Sequence, residues 1–522
     1  MSDGGESLNS MNFWGVLNLG ICVILCLWYA VVLVMVFCGW YEILVNFDVS
    51  NPCNSGGHDE CTSLGELECV SILRPCKGID AAMQECLESC ILQDYSGKIE
   101  VIFCVESIDD PCVPIIKDLL MKYPDHNIKL LVGSDSFGPN PKVNNLAKGY
   151  RSASHDIIWV LDSNVWCSPS TLRHSVISLT RSLDNGRRTR KKVILTHHIP
   201  LGVSLNPAST SGRLEEAFLF SSHAKFYVAF NKLSIAPCVN GKSNLYLRSS
   251  LNKAVDLIAE GNRASHPFHG REVIHCARQN SLKSGNFITH THEEYMELKW
   301  SDGGFVEQTI SGEMQQQHSH GIEFFSRYIG EDNMIGTALW NMLGGRTGMT
   351  GHCVIQPLVF DAQENGLQSY VDRRVRWLRV RRYMVVAATF LEPTTESIVI
   401  GIMGSYGIPR LLFRSFNPSV FGFFWFVAHM IIWCYMDRVQ YNTLALTLME
   451  LKLPLSSKNH ATDIPTFLPK NSHHREFYDW LYYWFARELL AFPIWIKAIS
   501  GSVINWRNSP FRIKSDLTAE SL

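Results

Sequence analysis

Three aspartates and one arginine-rich pentapeptide hold the chemistry legible in this chain. Asp110 stands in Asp109-Asp110-Pro111, Asp162 in Asp162-Ser163-Asn164 and Asp332 in Gly330-Glu331-Asp332, and the pentapeptide is Arg373-Arg374-Val375-Arg376-Trp377. An ionised carboxylate takes a proton from a hydroxyl or holds a hard cation through oxygen. Guanidinium forks bind phosphate oxygens two at a time, and an indole can wall the pocket around them. Each piece alone also has a plain structural reading. Asp110 before Pro111 is a good helix cap, Gly330-Glu331-Asp332-Asn333 opens a helical stretch, and arginines beside an apolar run mark the cytoplasmic side of a membrane. With Arg74, Lys77 and Asp80 at a further strand end, however, carboxylates recur at successive rims, and a nucleotide pocket accounts for them better than separate caps.

The elements that must position these groups are short, apolar, β-branched runs: VSILRP (70–75), IEVIFCVES (99–107), IKLLVGS (128–134), DIIWVLDSN (156–164) and VILTHHI (193–199). Such runs read as buried parallel strands. Helix-like segments at 79–93, 112–123 and 142–153 lie between them. Alternating strand and helix predict an α/β, Rossmann-like, doubly wound and mostly parallel sheet, whose ligands sit at the carboxyl ends of the strands. Asp80, Asp110 and Asp162 fall at three of those ends.

Around this core the 522 residues segregate by polarity. Phe13 to about Phe37 contains no Asp, Glu, Lys, Arg or His and is long enough to cross a hydrocarbon core of about 30 Å, without the basic start or cleavage site of a removable signal. It reads as a retained anchor over 13–40, after a tail at 1–12 and before a linker at 41–68 rich in Asn, Ser, Gly and acid. The α/β domain, expected to hold the chemistry, follows over 69–383. Residues 181–192 read as a basic surface loop, and 252–322 as a mobile, His-rich insertion whose histidines at 266, 269, 275, 290, 292, 318 and 320 lack the spacing of metal ligands. Beyond 384, apolar segments to 510 read as membrane-associated helices: 385–408 as a broken crossing or interfacial hairpin, 419–435 as a clean crossing, and 477–499 as an aromatic helix carrying Asp479, Arg487 and Glu488. A short tail, 511–522, ends the chain. The arginines at 373–382 place the middle of the chain in the cytosol. There, the crowded Cys53, Cys61, Cys69, Cys76, Cys86 and Cys90 read as thiols that pack as small hydrophobes. A net charge of -2 gives no reason to expect a nucleic-acid partner.

Taken in order, Asp110, Asp162, Asp332 and the Arg-x-x-Arg-Trp motif resemble the ceramide glucosyltransferase family of membrane-bound inverting glycosyltransferases with a GT-A fold. The strings RPCKGID (74–80), NPKVNNL (140–146), IIWVLDS (157–163), SHAKFY (222–227), PCVNGKS (237–243), GED (330–332), FARE (485–488) and INWR (504–507) extend the likeness over nearly the whole chain. The resemblance implies transfer of glucose from UDP-glucose to the primary hydroxyl of ceramide in the bilayer, in a multi-pass Golgi or ER membrane protein whose catalytic domain faces the cytosol. It implies Asp332 as general base and Asp162 as ligand of Mg2+ or Mn2+, although Asn164 replaces the second carboxylate usual at that turn. Asp80, Asp110 and Lys77 would hold the nucleotide, Arg373, Arg376 and Trp377 the departing UDP, with His223 and Cys238 near the donor. Lys142 and Asn145 would order the loop beneath, and Arg487 with Glu488 would lie near the acceptor head group. Two other readings stay open: a processive polysaccharide synthase of the chitin or hyaluronan type, and a non-catalytic membrane adaptor on a transferase fold.

Overall fold

The apolar runs do form strands. The computed structural model describes residues 13–47, 67–259, 294–301, 303–311, 321–360, 366–412, 417–450, 465–468, 475–506, 509–514 and 519–522. Its strands in chain order are β1 (Val70–Pro75), β2 (Ile99–Val105), β3 (Ile128–Val132), β4 (Ile157–Leu161), β5 (Trp166–Cys167), β6 (Leu183–Asp184), β7 (Arg187–Arg188), β8 (Val193–His197), β9 (Ile199–Ser204), β10 (Ser243–Leu247), β11 (Glu294–Ser301), β12 (Gly304–Ser311), β13 (Arg346–Gly348) and β14 (Cys353–Leu358). Nine of them make one sheet in the order β12-β11-β3-β2-β1-β4-β10-β8-β13. β3, β2, β1 and β4 are parallel, so the loops after β1, β2 and β4 share one rim. β10 is inserted antiparallel between β4 and β8. A parallel core with helices on both faces, with β10 and β11 reversed, is the GT-A arrangement.

Helices cover the sheet because their apolar faces have no other place to go. On one face Met83, Leu87, Ile116, Leu120, Leu172 and Val176 are buried against the strands; on the other are Val143, Leu146, Tyr150, Leu251 and Leu339. Each such side chain contributes about 1.5–3 kcal/mol. The helix Pro141–Ser152 starts where the sequence says it should: Pro141 fills the first turn, and the Asn140 side chain accepts from Lys142 N (2.9 Å) and Val143 N (3.2 Å).

The described part of the 252–322 segment does not read as mobile. Residues 252–259 complete the helix Arg248–Ala259, and β11 and β12 form a hairpin whose first strand pairs antiparallel with β3, widening the sheet. Leu298 is buried with Met296 and Trp300 packed on the same face of β11, Tyr295 is buried on the other face, and the histidines lie outside the described residues. The 181–192 loop contains a small ribbon, β6 with β7, turned at Asn185 and Gly186, both at positive φ.

The anchor is longer than its apolar run. The helix Phe13–Asn46 continues through residues 41–46, which were expected as linker, because the domain supplies partners there: Lys232 reaches the buried Glu42 at 2.6 Å. Gly39 lies where a Cβ would come within 2.0 Å of the Lys225 carbonyl oxygen. The 385–408 stretch breaks at Glu392–Thr395, and the helix Ser397–Leu412 then packs between the anchor and the helix Pro418–Glu450. A Cβ on Gly401 would meet the His429 ring at 2.6 Å and one on Gly404 the Tyr29 ring at 2.5 Å, a close approach that small residues permit in a lipid-bound bundle. Phe13–Asn46 and Pro418–Thr447 are long and apolar enough to cross a membrane. The chain is thus membrane-associated.

The aromatic helix Phe477–Ile499 turns Arg487 and Glu488 inward and leaves Asp479 and Lys497 exposed. Asp479 pairs with Arg213 at 2.7 Å, Arg487 with Glu396 at 3.1 Å and with Glu488, and Glu488 accepts from Ser397 N. Its outer face exposes Tyr478, Tyr482, Phe485, Leu489, Phe492 and Ile496. The expected tail at 511–522 is paired in part: Ser509–Ile513 lies between Val503–Trp506 and Ala519–Ser521 in a small antiparallel sheet, and Arg379 donates to Val503 O at 2.6 Å.

Candidate active site

Asp162 ends β4 and Asp332 opens the helix Glu331–Leu343, yet one ammonium group joins them. Lys142 Nζ lies 3.0 Å from Asp162 Oδ1, 2.9 Å from Glu331 Oε1 and 3.3 Å from Asp332 Oδ1. Asn140 fixes this junction: its amide donates to Tyr328 O (2.7 Å) and Glu331 Oε2 (2.8 Å), so the cap of one helix grips the start of the other. Lys242, in the turn just before β10, reaches Asp162 Oδ2 at 2.9 Å and Asn164 Oδ1 at 3.1 Å. Two ammonium groups therefore face three carboxylates in a half-buried cleft.

Position separates the two aspartates chemically. Burial would raise the Asp162 carboxyl, but Lys142 and Lys242 outweigh it and hold it at about 2. Asp332 goes the other way, to about 7, because burial and the adjacent Glu331 outweigh the single attraction of Lys142. One carboxylate stays ionised throughout, as a cation ligand must. The other is poised to exchange a proton near neutrality, as a general base must.

At the ends of β1 and β2, Asp110 accepts from Gly78 N (2.9 Å) and Cys112 N (3.0 Å). Burial opposes its ionisation, but the Cys112 and Gly78 hydrogen bonds hold it below the usual carboxylate range. Gly78, at φ +67°, is needed for the turn that brings this N–H to the carboxylate. Asp80 accepts from Ser163 Oγ at 2.7 Å, next to Asp162. Lys77 pairs with Glu106 at 2.6 Å on the exposed rim. Arg74, read from sequence as part of the pocket, is fully buried and holds the carbonyls of Cys86, Ser163 and Val165; it braces the rim from below. Asn145 likewise donates to Cys76 O and Cys104 O under the strand ends.

The loop 237–241 carries the site toward the arginines. A Cβ on Gly241 would come 2.0 Å from Asp332 Oδ2, so only glycine lets the loop lie against that carboxylate. Asn240 N donates to Tyr227 Oη at 3.1 Å, the Tyr227 ring stacks on His223 with centroids 5.3 Å apart, and His223 meets the Trp377 indole edge-on at 6.2 Å. Burial, then Arg374 and Arg381, push the His223 imidazole down to about 3, so it is neutral. Cys238 is half-buried in the same loop, its thiol pushed up by burial.

Arg373 is not turned toward the aspartates. Its Nε donates at 2.9 Å to Glu215, a fully buried carboxylate, and its guanidinium lies over the Trp377 ring. Arg374 stacks 3.4 Å above the Phe218 ring. Arg376 and Trp377 stand half-buried on the next turn of the helix Gly366–Met384. Arg487 and Glu488 belong to an internal network with Glu396 and Ser222, beside a small, partly open cavity lined by Arg487, Glu396 and Tyr370.

Lys242 and Glu331 are the residues that sequence reasoning passed over. Each lay in a string already singled out, PCVNGKS and GED. Asp162 and Asn164 offer one carboxylate and one amide oxygen on the same turn, which fits a hard cation that draws its other ligands from a diphosphate. Among the described residues there is no cluster of three or more His, Cys, Asp or Glu side chains set for a metal.

The chain matches the model of glycosyl transferase family 21 over residues 28–283 and 316–519. It is 41% identical to the ceramide glucosyltransferase of Komagataella phaffii, over 96% of this chain and 92% of that one. With the ceramide glucosyltransferase of Candida albicans it shares 38% identity over 95% of this chain and 97% of the relative. Among solved structures, a mannosyltransferase of Pyrobaculum calidifontis in complex with GDP-Man and Mn2+ aligns with 81% of this chain and 98% of its own, at 11% identity and a TM-score of 0.35. The family match over most of the chain and the two relatives, 41% and 38% identical over nearly its whole length, agree: the chain belongs to glycosyl transferase family 21.

Proposed function

We propose that this enzyme is an inverting glucosyltransferase that moves glucose from UDP-glucose to the primary hydroxyl of ceramide, working at the cytosolic face of a Golgi or ER membrane. The observation that carries this reading is the Lys142 junction, which puts an always-ionised carboxylate and a carboxylate poised near neutrality in one cleft. The ceramide glucosyltransferases among its relatives support glucose as the sugar and ceramide as the acceptor, and UDP is the carrier that the resemblance of the sequence implies.

Asp80, Asp110 and Lys77 would line the nucleoside end, at the rim of β1 and β2. Asp162, with Asn164, would hold Mg2+ or Mn2+; the ion when bound supplies neutralising charge to the diphosphate. Asp332 would take the proton from the acceptor hydroxyl as its oxygen forms a bond to C1 from the face opposite the departing UDP, giving one displacement and inversion. The C1–O bond to the diphosphate breaks with its electron pair, and Arg376 with Trp377 would receive the leaving group. Arg373, tied to Glu215, would act by setting the pitch of that helix, and His223 by supporting the indole.

Microsomes given labelled UDP-glucose and ceramide should yield a chloroform-soluble monoglycosylated lipid. An insoluble polymer would instead identify a polysaccharide synthase, and no product at all an adaptor. Asp332→Asn should abolish turnover while leaving UDP-glucose binding largely intact; loss of donor binding would remove Asp332 from the role of base.

A further inference from the structure

Lys242 is brought across the strand ladder to the place where a diphosphate needs a counter-charge. β10 runs antiparallel to β4 with Ser243 opposite Leu161, and Asp162 N donates to Lys242 O at 3.1 Å. Residue 242 is thereby fixed beside residue 162 whatever the intervening loops do. Its ammonium then spans the turn, 2.9 Å from Asp162 Oδ2 and 3.1 Å from Asn164 Oδ1. Those two oxygens are the ones a divalent cation would use. Charge points the same way: a turn acidic at both 162 and 164 would carry two negative charges, whereas Asn164 removes one and Lys242 adds a positive charge beside the other. A turn so altered asks less of a metal and offers more to a phosphate. Lys142 is placed differently, since three carboxylates on two elements hold it in the floor of the cleft.

We propose that Lys242 is a diphosphate-binding residue: when the donor enters, its ammonium turns from the Asp162–Asn164 pair to a non-bridging phosphate oxygen. The chain itself thereby supplies part of the neutralisation that would otherwise fall to a tightly held divalent ion. This rests on the reading of the Asp162 turn as the site of the donor diphosphate. An ammonium makes charge-assisted hydrogen bonds to phosphate as a compact point charge, so such a contact is available to Lys242 without rebuilding the turn.

Calorimetric binding of UDP to the full-length chain in detergent, with EDTA and with Mg2+, tests this. The wild-type chain should bind UDP in EDTA. Lys242→Met should weaken that binding about tenfold or more, the loss expected for one charge-assisted hydrogen bond, and Lys242→Arg should recover most of it. UDP affinity in EDTA within about twofold of wild type in a folded Lys242→Met chain would overturn the proposal. A double variant, Asn164→Asp with Lys242→Met, restores the acidic turn. It should hold Mn2+ more tightly by electron paramagnetic resonance, and its UDP binding should collapse in EDTA; unchanged metal affinity and EDTA sensitivity would again overturn it. Asp162→Asn separates the two readings. If it alters UDP affinity and Lys242→Met does not, only the lysine proposal fails; if neither does, the donor site itself is misplaced.

Discussion

Lys142 stands 3.3 Å from Asp332 on one side and 3.0 Å from Asp162 on the other, so one cation braces both the proposed base and the carboxylate proposed to lie beside the donor. Burial and Glu331 raise Asp332 to about 7 and Lys142 opposes that rise. With Asp332 as the proposed base the carboxylate is the active form, so kcat/KM should fall as pH drops through about 7, which is the free-enzyme value that this ratio reports. Lys142→Met removes the opposing charge. The acid limb of its pH profile should move upward, with a drop in kcat on the order of 10²-fold at neutral pH, and Lys142→Arg should restore part of both. An unmoved limb in Lys142→Met would show that the lysine only fills space.

Much of this site is legible in the sequence and some of it is not, for reasons that particular residues make plain. Asp110 and Asp162 can be found because a β-branched run followed by an acid announces a strand end, and Asp332 because Gly330-Glu331-Asp332 opens a helix. Lys242 cannot, because its neighbour is chosen by an antiparallel ladder between β4 and β10 that local pattern does not encode. Arg373 looks like a phosphate ligand in Arg-x-x-Arg-Trp. Only the packing of the helix Thr210–Phe218 against Gly366–Met384 shows that Glu215 takes it. The hairpin β11–β12 was hidden by the histidines around it, and the extension of the anchor to Asn46 by Glu42, whose charge suggests a helix end until Lys232 is seen to meet it.

Gly241 should be intolerant of any side chain. An added Cβ would stand 2.0 Å from Asp332 Oδ2, so either the loop or the carboxylate must move. Gly241→Ala should lower kcat by about 10² while the thermal midpoint and UDP affinity change little, since a misplacement near 1 Å costs rate more than stability. A kcat within threefold of wild type, measured with saturating donor and acceptor, would show that the loop yields freely.

The catalytic domain is fastened to its membrane helices by a buried ion pair. Lys225 Nζ meets Asp437 Oδ1 at 2.7 Å with both side chains fully buried, and Trp484 donates to the other oxygen at 2.8 Å. Removing one partner leaves a charge without an answer, so Asp437→Leu should cost about 3–5 kcal/mol, whereas Lys225→Met with Asp437→Leu should lie much closer to wild type. Thermal midpoints and limited proteolysis in detergent measure both. Equal damage in the single and double variants would mean that shape and not charge makes this joint.

The exposed face of Phe477–Ile499 is the last place where the chain states its surroundings. Tyr478, Tyr482, Phe485, Leu489, Phe492 and Ile496 recur every three or four residues, one stripe of a helix, while Arg487 and Glu488 are turned into the protein. Glu488 binds Ser397 N, the first residue of the membrane-packed helix Ser397–Leu412, and Arg487 binds Glu396 just before it, so the stripe lies level with the entry to the apolar bundle. We predict from this one-sided aromatic stripe that the helix lies in the head-group region, along the bilayer and not across it. Spin labels on single cysteines at 482, 485, 489 and 492 in lipid nanodiscs should be accessible to oxygen and shielded from a water-soluble nickel relaxant. Labels at 484 and 491 should be shielded from both, and Leu489→Glu should weaken retention of activity in the membrane fraction. Oxygen accessibility on every face would make the helix a crossing, and nickel accessibility along the stripe would put it in water; either pattern would remove the bilayer surface as its partner.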